Sequence, residues 1–330
     1  MYMKQILAAL EAKKQQLDTY QPLPAELTRN LEDWFKIELT YTSNAIEGNT
    51  LSRADTALIV EKGLTVEGKT LTEHLEAVNH AHAFEWIATL AHLKRKDLTE
   101  HHILDLHRQI LQKIDDANAG RYRTVSVRIA GSRAIMPNPV KVPRLCDEFI
   151  SWLHDAHGNE LAIAADAHFR LVSIHPFVDG NGRTARLLMN LLLMQAGFPP
   201  AIIRKEDRKR YIDSIEAGQL GKSLIDYYQL MFASVDRSLN IYLNAIEQKV
   251  ETTRAAGKPL LKIGELAKLV GETVPTIRYW TREGLLSVAE RSPGGYQLYT
   301  QSQVSVVQKI KKLQEKRLTL AEIKKVLNSN

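Results

Sequence analysis

Cysteine occurs once in 330 residues, at Cys146. An internal disulfide framework is therefore excluded, and a reducing compartment is the fitting one. Long apolar runs are missing too. The longest, LLMNLLLMQAG after Arg186, is too short and too interrupted to span a bilayer. The opening MYMKQILAALEAKKQQ has neither the apolar core nor the small-residue cleavage site of a signal peptide, so a cytoplasmic protein without membrane contact is expected. No internal repeat or low-complexity tract occurs. His74, His80, His82, His101 and His102 crowd one stretch, yet no cysteine joins them and their spacing fits no closed zinc set, which points to surface or packing roles.

What is present is an ordinary globular composition, 44% hydrophobic and 25% charged, in a chain long enough for two or three domains. The net charge of +6 is unevenly placed. Residues 258–330 hold nine Lys and four Arg against six Glu, while residues 1–257 hold 31 basic and 32 acidic side chains. The tail alone is basic, which suits a polyanionic partner. Apolar spacing at three and four predicts helices through most of 1–119, including stretches near 72–93 and 99–114. At 120–141, Val125, Val127 and Ile129 alternate with polar neighbours before Gly131-Ser132 and two prolines, which predicts a short β-hairpin. Helical patterns resume at 141–156, 161–174, 183–196 and 205–248, and the polar ETTRAAGKPL at 251–260 reads as a linker.

The segment HPFVDGNGRTAR, residues 175–186, concentrates the chemistry. Asp179-Gly180-Asn181-Gly182 favours a tight turn, and the strongly helical RTARLLMNLLLMQ follows. Such a turn presents free N–H groups at the positive end of a helix, a ready anion site. Arg183 and Arg186, three residues apart, share one face of the first turn and can both grip phosphate oxygens. Arginine there opposes the helix dipole, a cost that bound polyphosphate would reverse. Asp179 can hold a Mg²⁺ that bridges phosphates, and His175 can take the proton of an incoming hydroxyl.

These residues match the motif HPFx(D/E)GNGRxxR at every defined position, and the chain resembles the Fic family over roughly residues 1–250, through GRYRT at 120–124, PNPVKVP at 137–143 and AADAHFRLVSI at 164–174. The resemblance implies a mainly α-helical core with a small β-hairpin flap and transfer of AMP from ATP, with Mg²⁺, to a Tyr, Thr or Ser hydroxyl of a target protein. It implies His175 as general base, Asp179 as metal ligand, and Gly180, Asn181 and Gly182 as the anion cradle. Arg183 and Arg186, with Thr184 and Ala185 between them, would complete the nucleotide site. Tyr211 and Gln219 resemble positions near the adenosine and ribose. The flap edge, Arg128, Ile129, Ala130 and Gly131, would dock an extended target segment by strand pairing.

Upstream, SNAIEG at 43–48 matches the inhibitory pattern (S/T)xxxE(G/N) of Fic proteins that carry their own brake. Ser43 and Glu47 would then lie on a helix packed against the nucleotide site, with Glu47 pairing Arg186 and displacing the γ-phosphate. The same residues also read as a helix end with Gly at C′. The tail, with IGELA, TIRYW, EGLL and GYQLY, resembles a MerR-type winged helix–turn–helix. By that resemblance Thr276 and Arg278 would face DNA from the recognition helix, with Arg291 and Tyr296 on the wing.

The expected organisation is a helical region at 1–98 carrying the inhibitory helix, a catalytic core at 99–250, the linker, and a winged helix at 261–330. The resemblance implies a self-inhibited protein adenylyltransferase that also labels itself and forms a homodimer. Alternatives are an enzyme that removes AMP, with Glu47 orienting a water, and a nucleotide-sensing DNA-binding regulator. An intact His175 argues against pure sensing, which needs no base.

Overall fold

The computed structural model describes residues 2–129, 131–256, 260–291, 296–316 and 318–328. They form two compact units, Met1–Asn244 and Ala245–Asn330. The first contains α1 (Tyr2–Asp18), α2 (Ala25–Glu47), α3 (Arg53–Lys62), α4 (Leu71–Leu90), α5 (Glu100–Leu111), α6 (Val142–Asp155), α7 (Glu160–Ile174), α8 (Asn181–Gln195) and α9 (Arg208–Gln219). The long α10 (Ile225–Ala256) begins in this unit.

The apolar composition of α8 dictates its place. Leu187, Leu188, Met189, Leu191, Leu192 and Leu193 are all buried, so apolar side chains surround the helix and it can only sit at the centre. α7 packs most extensively against it, and α2, α4 and α5 close around the same core. The N-terminal region thus belongs to one unit with the motif rather than standing apart. Asn159 caps α7, its side chain accepting the N–H groups of Leu161 and Ala162. Among the described residues no helix is long and apolar enough to cross a membrane.

Two expectations need correction. Residues 120–141 carry no strand among those described: Ser132 N–H donates to Ile129 O at 3.1 Å, and a 3-10 turn occupies Pro139–Lys141. Alternation of apolar residues records exposure on two sides, and a lone two-stranded ribbon has too little burial to hold its ladder. Helix α10 also runs through 251–256, expected to be linker. ETTRAA contains no helix breaker; Gly257 and Pro259, which carried that reading, lie outside the described residues.

The second unit has a three-stranded antiparallel sheet of β1 (Leu261–Lys262), β2 (Glu290–Arg291) and β3 (Gln297–Tyr299) in the order β1-β3-β2. Its helices are α11 (Ile263–Val270), α12 (Val274–Arg282), α13 (Ser302–Glu315) and α14 (Leu320–Asn328). Leu266, Ile277, Trp280, Tyr299, Val307, Ile310 and Ile323 form its core. Gly271, at φ 67°, ends α11, and Thr273 caps α12 by accepting Thr276 N–H, giving the helix–turn–helix.

Candidate active site

The motif loop joins α7 to α8 and is fixed from inside. His175 leaves α7 in the left-handed region, at φ 50° and ψ 61°, and Gly180 enters α8 at φ 74°. Asn181 closes the loop with its own side chain. Its Oδ1 accepts Phe177 N–H at 2.9 Å and its Nδ2 donates to Phe177 O at 3.0 Å. The side-chain amide thus shapes the turn, while the main-chain N–H of Asn181 is the group expected in the anion cradle. Phe177 is fully buried and stacks on His107, ring centroids 3.6 Å apart. His107 Nδ1 accepts Gly120 N–H at 2.9 Å, so its hydrogen lies on Nε2, which donates to Asp179 O at 3.0 Å.

Arg123 fastens the loop from outside. Its Nε donates to His175 O at 2.8 Å and its main-chain N–H to Pro176 O at 2.9 Å. Nη1 and Nη2 reach Val125 O and Pro137 O, at 2.9 and 2.7 Å. The His175 ring contacts Val172 O through Nδ1 at 3.3 Å, which leaves Nε2 as a proton acceptor. Burial holds the His175 pKa below its ordinary value, so the ring is neutral at neutral pH.

Thr184 N–H already donates to Gly180 O at 2.9 Å, so the N–H groups of Asn181, Gly182 and Arg183 have no carbonyl one turn back and form the anion-facing end of α8. Thr184 and Ala185 are fully buried, and their side chains belong to the core rather than to a nucleotide site. The cradle at Gly182 is occupied by a carboxylate. A Cβ at this position would lie 2.3 Å from Glu47 Oε1 and 2.9 Å from Arg186 Nη1.

Glu47 ends α2 in a Schellman turn: Gly48, at φ 104°, donates to Ala45 O at 3.2 Å and Asn49 to Asn44 O at 3.1 Å. Its Oε1 accepts Arg186 Nη2 at 2.6 Å across 139 residues of chain. Ser43 assists, its Oγ accepting Arg186 Nε and its carbonyl accepting Nη2, both at 3.0 Å. Arg208 on α9 donates to Ile46 O at 2.6 Å beside them.

Arg183 has its own acid. Nη1 donates to Glu76 Oε1 on α4 at 2.8 Å and Nη2 to Asp179 Oδ2 at 3.2 Å. Both guanidinium groups are buried, 2% exposed at Arg183 and 5% at Arg186. The site as it stands sets two arginines against three carboxylates, a balance that disfavours a polyphosphate until a carboxylate leaves. Asp179 is the most exposed acid of the three, and its oxygens already accept Gly180 N–H and Arg183. One such carboxylate suits a Mg²⁺ that arrives with phosphates, which needs few protein ligands.

Tyr211 is displaced from its expected role. It is buried, with its hydroxyl between Arg186 and His168, and so faces no open nucleotide pocket. The directions follow from the far end. Tyr227 O–H donates to Ala165 O at 2.7 Å, so its oxygen accepts His168 Nδ1–H at 2.8 Å. His168 Nε2 then accepts Tyr211 O–H at 2.8 Å, and Tyr211 oxygen accepts Arg186 Nη1 at 3.3 Å. Burial, aided by the Arg186 charge, pulls His168 down to about 3 and keeps it neutral. Gln219 is half-buried and donates to Val172 O at 3.4 Å, the carbonyl that also meets His175.

On the expected docking edge, Arg128 and Gly131 are exposed and Ile129 is half-buried; Ala130 lies outside the described residues. Glu216 on α9 holds the turn, accepting Arg133 N–H at 2.6 Å and Ser132 O–H at 3.2 Å. In the second unit Arg278, Arg291 and Tyr296 are exposed, while Thr276 is part of the cap of α12. Glu76, His107, Arg123 and Glu216 were not singled out from sequence. Only Arg123 stood in a quoted stretch, GRYRT.

The profile of the Fic/DOC family matches residues 97–193, and that of MerR HTH family regulatory proteins matches 261–330. "Protein adenylyltransferase Fic" of Culex quinquefasciatus is 35% identical over 290 residues, which cover 87% of this chain and 55% of that protein. The chain spans about half the length of the curated relatives it matches. Among solved structures, Fic-1 (residues 134–508) from C. elegans superposes with a TM-score of 0.69 at 30% identity, covering 75% of this chain and 74% of that one. A Fic domain containing signaling protein from Bacteroides thetaiotaomicron gives 0.66 at 27% identity, covering 74% of this chain and 98% of that one.

Proposed function

The chain is a member of the Fic family, and from that premise we propose that it transfers AMP from ATP to a hydroxyl side chain of a target protein and is restrained at rest by Glu47. The observation that carries this reading is the Glu47 carboxylate lying on the Gly182 cradle and 2.6 Å from Arg186. It occupies with one negative group the place the helix end and the arginine offer to another.

In the proposed reaction, the target hydroxyl loses its proton to His175 Nε2 while its oxygen bonds the α-phosphorus. The bond from that phosphorus to the bridging oxygen breaks, and pyrophosphate leaves. Arg183, Arg186 and the free N–H groups of α8 hold the outer phosphates, and in-line placement supplies much of the rate. Asp179 would hold Mg²⁺, which neutralises phosphate charge when bound. The edge 128–131 would hold the target's main chain by strand pairing. Gln219 would stand beside the ribose.

Labelled ATP or UTP with a cell lysate tests the assignment. Glu47→Gly removes one acceptor from Arg186 and leaves the two Ser43 oxygens and Tyr211, so the fold should survive. Labelling should appear in Glu47→Gly where the parent shows little, with ATP in preference to UTP. Arg186→Ala added to it should return most of the gain, since a charge-assisted bond is worth about 1.5–3 kcal/mol. If Glu47→Gly leaves ATP affinity and labelling unchanged, the reading is wrong. Self-association, also part of the proposal, is read by sedimentation.

For the second unit we propose contact with duplex DNA through exposed Arg278 on α12 and Arg291 on the wing, with Thr276 and Tyr296 beside them. Affinity should fall steeply with salt. Arg278→Ala should reduce sequence preference, whereas Lys311→Ala should not, because Lys311 already caps α11 at Val270 O.

A further inference from the structure

The end of α2 is fastened to α4 by two buried amides. Asn44 Nδ2 donates to Glu76 O at 3.1 Å. Asn49 Nδ2 donates to Glu73 O at 3.1 Å and to Glu76 Oε2 at 2.8 Å, and its Oδ1 accepts Leu51 N–H at 2.9 Å. The other oxygen of Glu76 receives Arg183. One carboxylate thus serves both the anion site and the fastening of the helix that carries Glu47. Neither asparagine touches the motif arginines through any described hydrogen bond, and neither occupies a defined position of the Ser-x-x-x-Glu-Gly pattern.

We propose that Asn49, seconded by Asn44, is a positioning latch: it fixes the last turn of α2 on α4 and thereby sets Glu47 against Arg186. This rests on reading Glu47 as the brake. Glu47 stands at the very end of a helix, and Gly48 after it supplies no stiffness. Its place therefore depends on holds to either side, Asn44 a turn before and Asn49 two residues after. With those gone, the turn keeps Arg208 on Ile46 O, the bonds of Ser43 and Glu47 to Arg186, and beyond Gly48 only the exposed bonds of Thr50 to Glu73 among the described contacts with α4. A charge-assisted bond is short, so a small displacement of this turn removes Glu47 from Arg186.

Asn49→Asp in the full chain is the direct test. It keeps the volume and the acceptor for Leu51 N–H, but sets a second carboxylate against Glu76 where a donor stood. Labelling should rise by about tenfold, the shift expected from losing a hydrogen bond to a charged group, and ATP binding should tighten in a His175→Ala background. Simple damage to the fold would lower labelling. Asn49→Ala, which adds no charge, should give a smaller rise and covers the case in which Asn49→Asp does not fold. Asn49→Asp with Glu76→Gln restores the donor–acceptor pair in the opposite direction and should bring labelling back towards the parent. The same pair in Glu47→Gly measures what Glu76→Gln itself costs at Arg183, so that only a fall beyond that cost reads as relatching. A rise in Glu47→Gly with none in either Asn49 variant overturns the latch alone. Silence in Glu47→Gly overturns the brake and the latch with it.

Discussion

Arg123 holds two pieces of chain that differ in every other respect. On one side is the loop 175–181, where Phe177 is fully buried, Asn181 ties both polar atoms of Phe177's main chain, and His107 stacks beneath. On the other are 124–129 and 131–137, which carry no strand, with Val125 54% exposed and Ile135 90% exposed. A group that must meet a reacting atom has its position fixed many times over. Under the proposed function, the exposed edge that would receive another protein's backbone forms no strand of its own among the described residues. The same arginine, bonded to His175 O, Val125 O and Pro137 O, ties the two together.

Four measurements would break or sharpen that contrast. The largest effect belongs to His175→Ala, which should lower labelling by about 10²–10⁴-fold while ATP binding persists, because the ring acts on the hydroxyl and not on the phosphates. Persistent labelling would remove His175 from its role. Next comes Phe177→Ala, which should cost about 3–5 kcal/mol in urea unfolding, as for other buried aromatics. A small cost would mean the loop is not held from inside.

Third is pH. Burial holds His80 and His168 near 3 in the folded protein, against 6.5 when free. The unfolded chain takes up these protons first as pH falls, so stability is full above about 6.5 and declines from there towards 3. Urea unfolding at pH 7 and pH 5 reads the slope, and His168→Gln should flatten it. The smallest effect is expected on the open side. Val125→Ser and Ile135→Ser should change stability by less than about 0.5 kcal/mol, yet reduce labelling of added target protein. Equal loss of stability on both sides would erase the distinction.

What the sequence disclosed divides by distance along the chain. The loop was legible because its residues lie within twelve positions and their spacing is the geometry. The pairing of Glu47 with Arg186 crosses 139 residues and became visible only through a resemblance. Glu76 escaped notice because a glutamate in a helix looks the same whether it faces solvent or Arg183; only the packing of α4 on α8 tells them apart. The burial of Tyr211, Thr184 and Ala185 was illegible for a related reason: spacing predicts a helix but not which of its faces the core takes. Alternation at 125–129 suggested a ladder that has no partner strand within the described chain.

The line from Arg186 through Tyr211, His168 and Tyr227 to Ala165 O has a consequence for proton traffic. An imidazole between two phenols has the parts of a proton wire. Here every hydrogen points the same way, and the last meets a main-chain carbonyl that cannot hand it on. With His168 held neutral, the path is a dead end. A proton has no exit along this line, and under the proposed function its traffic would stay with His175.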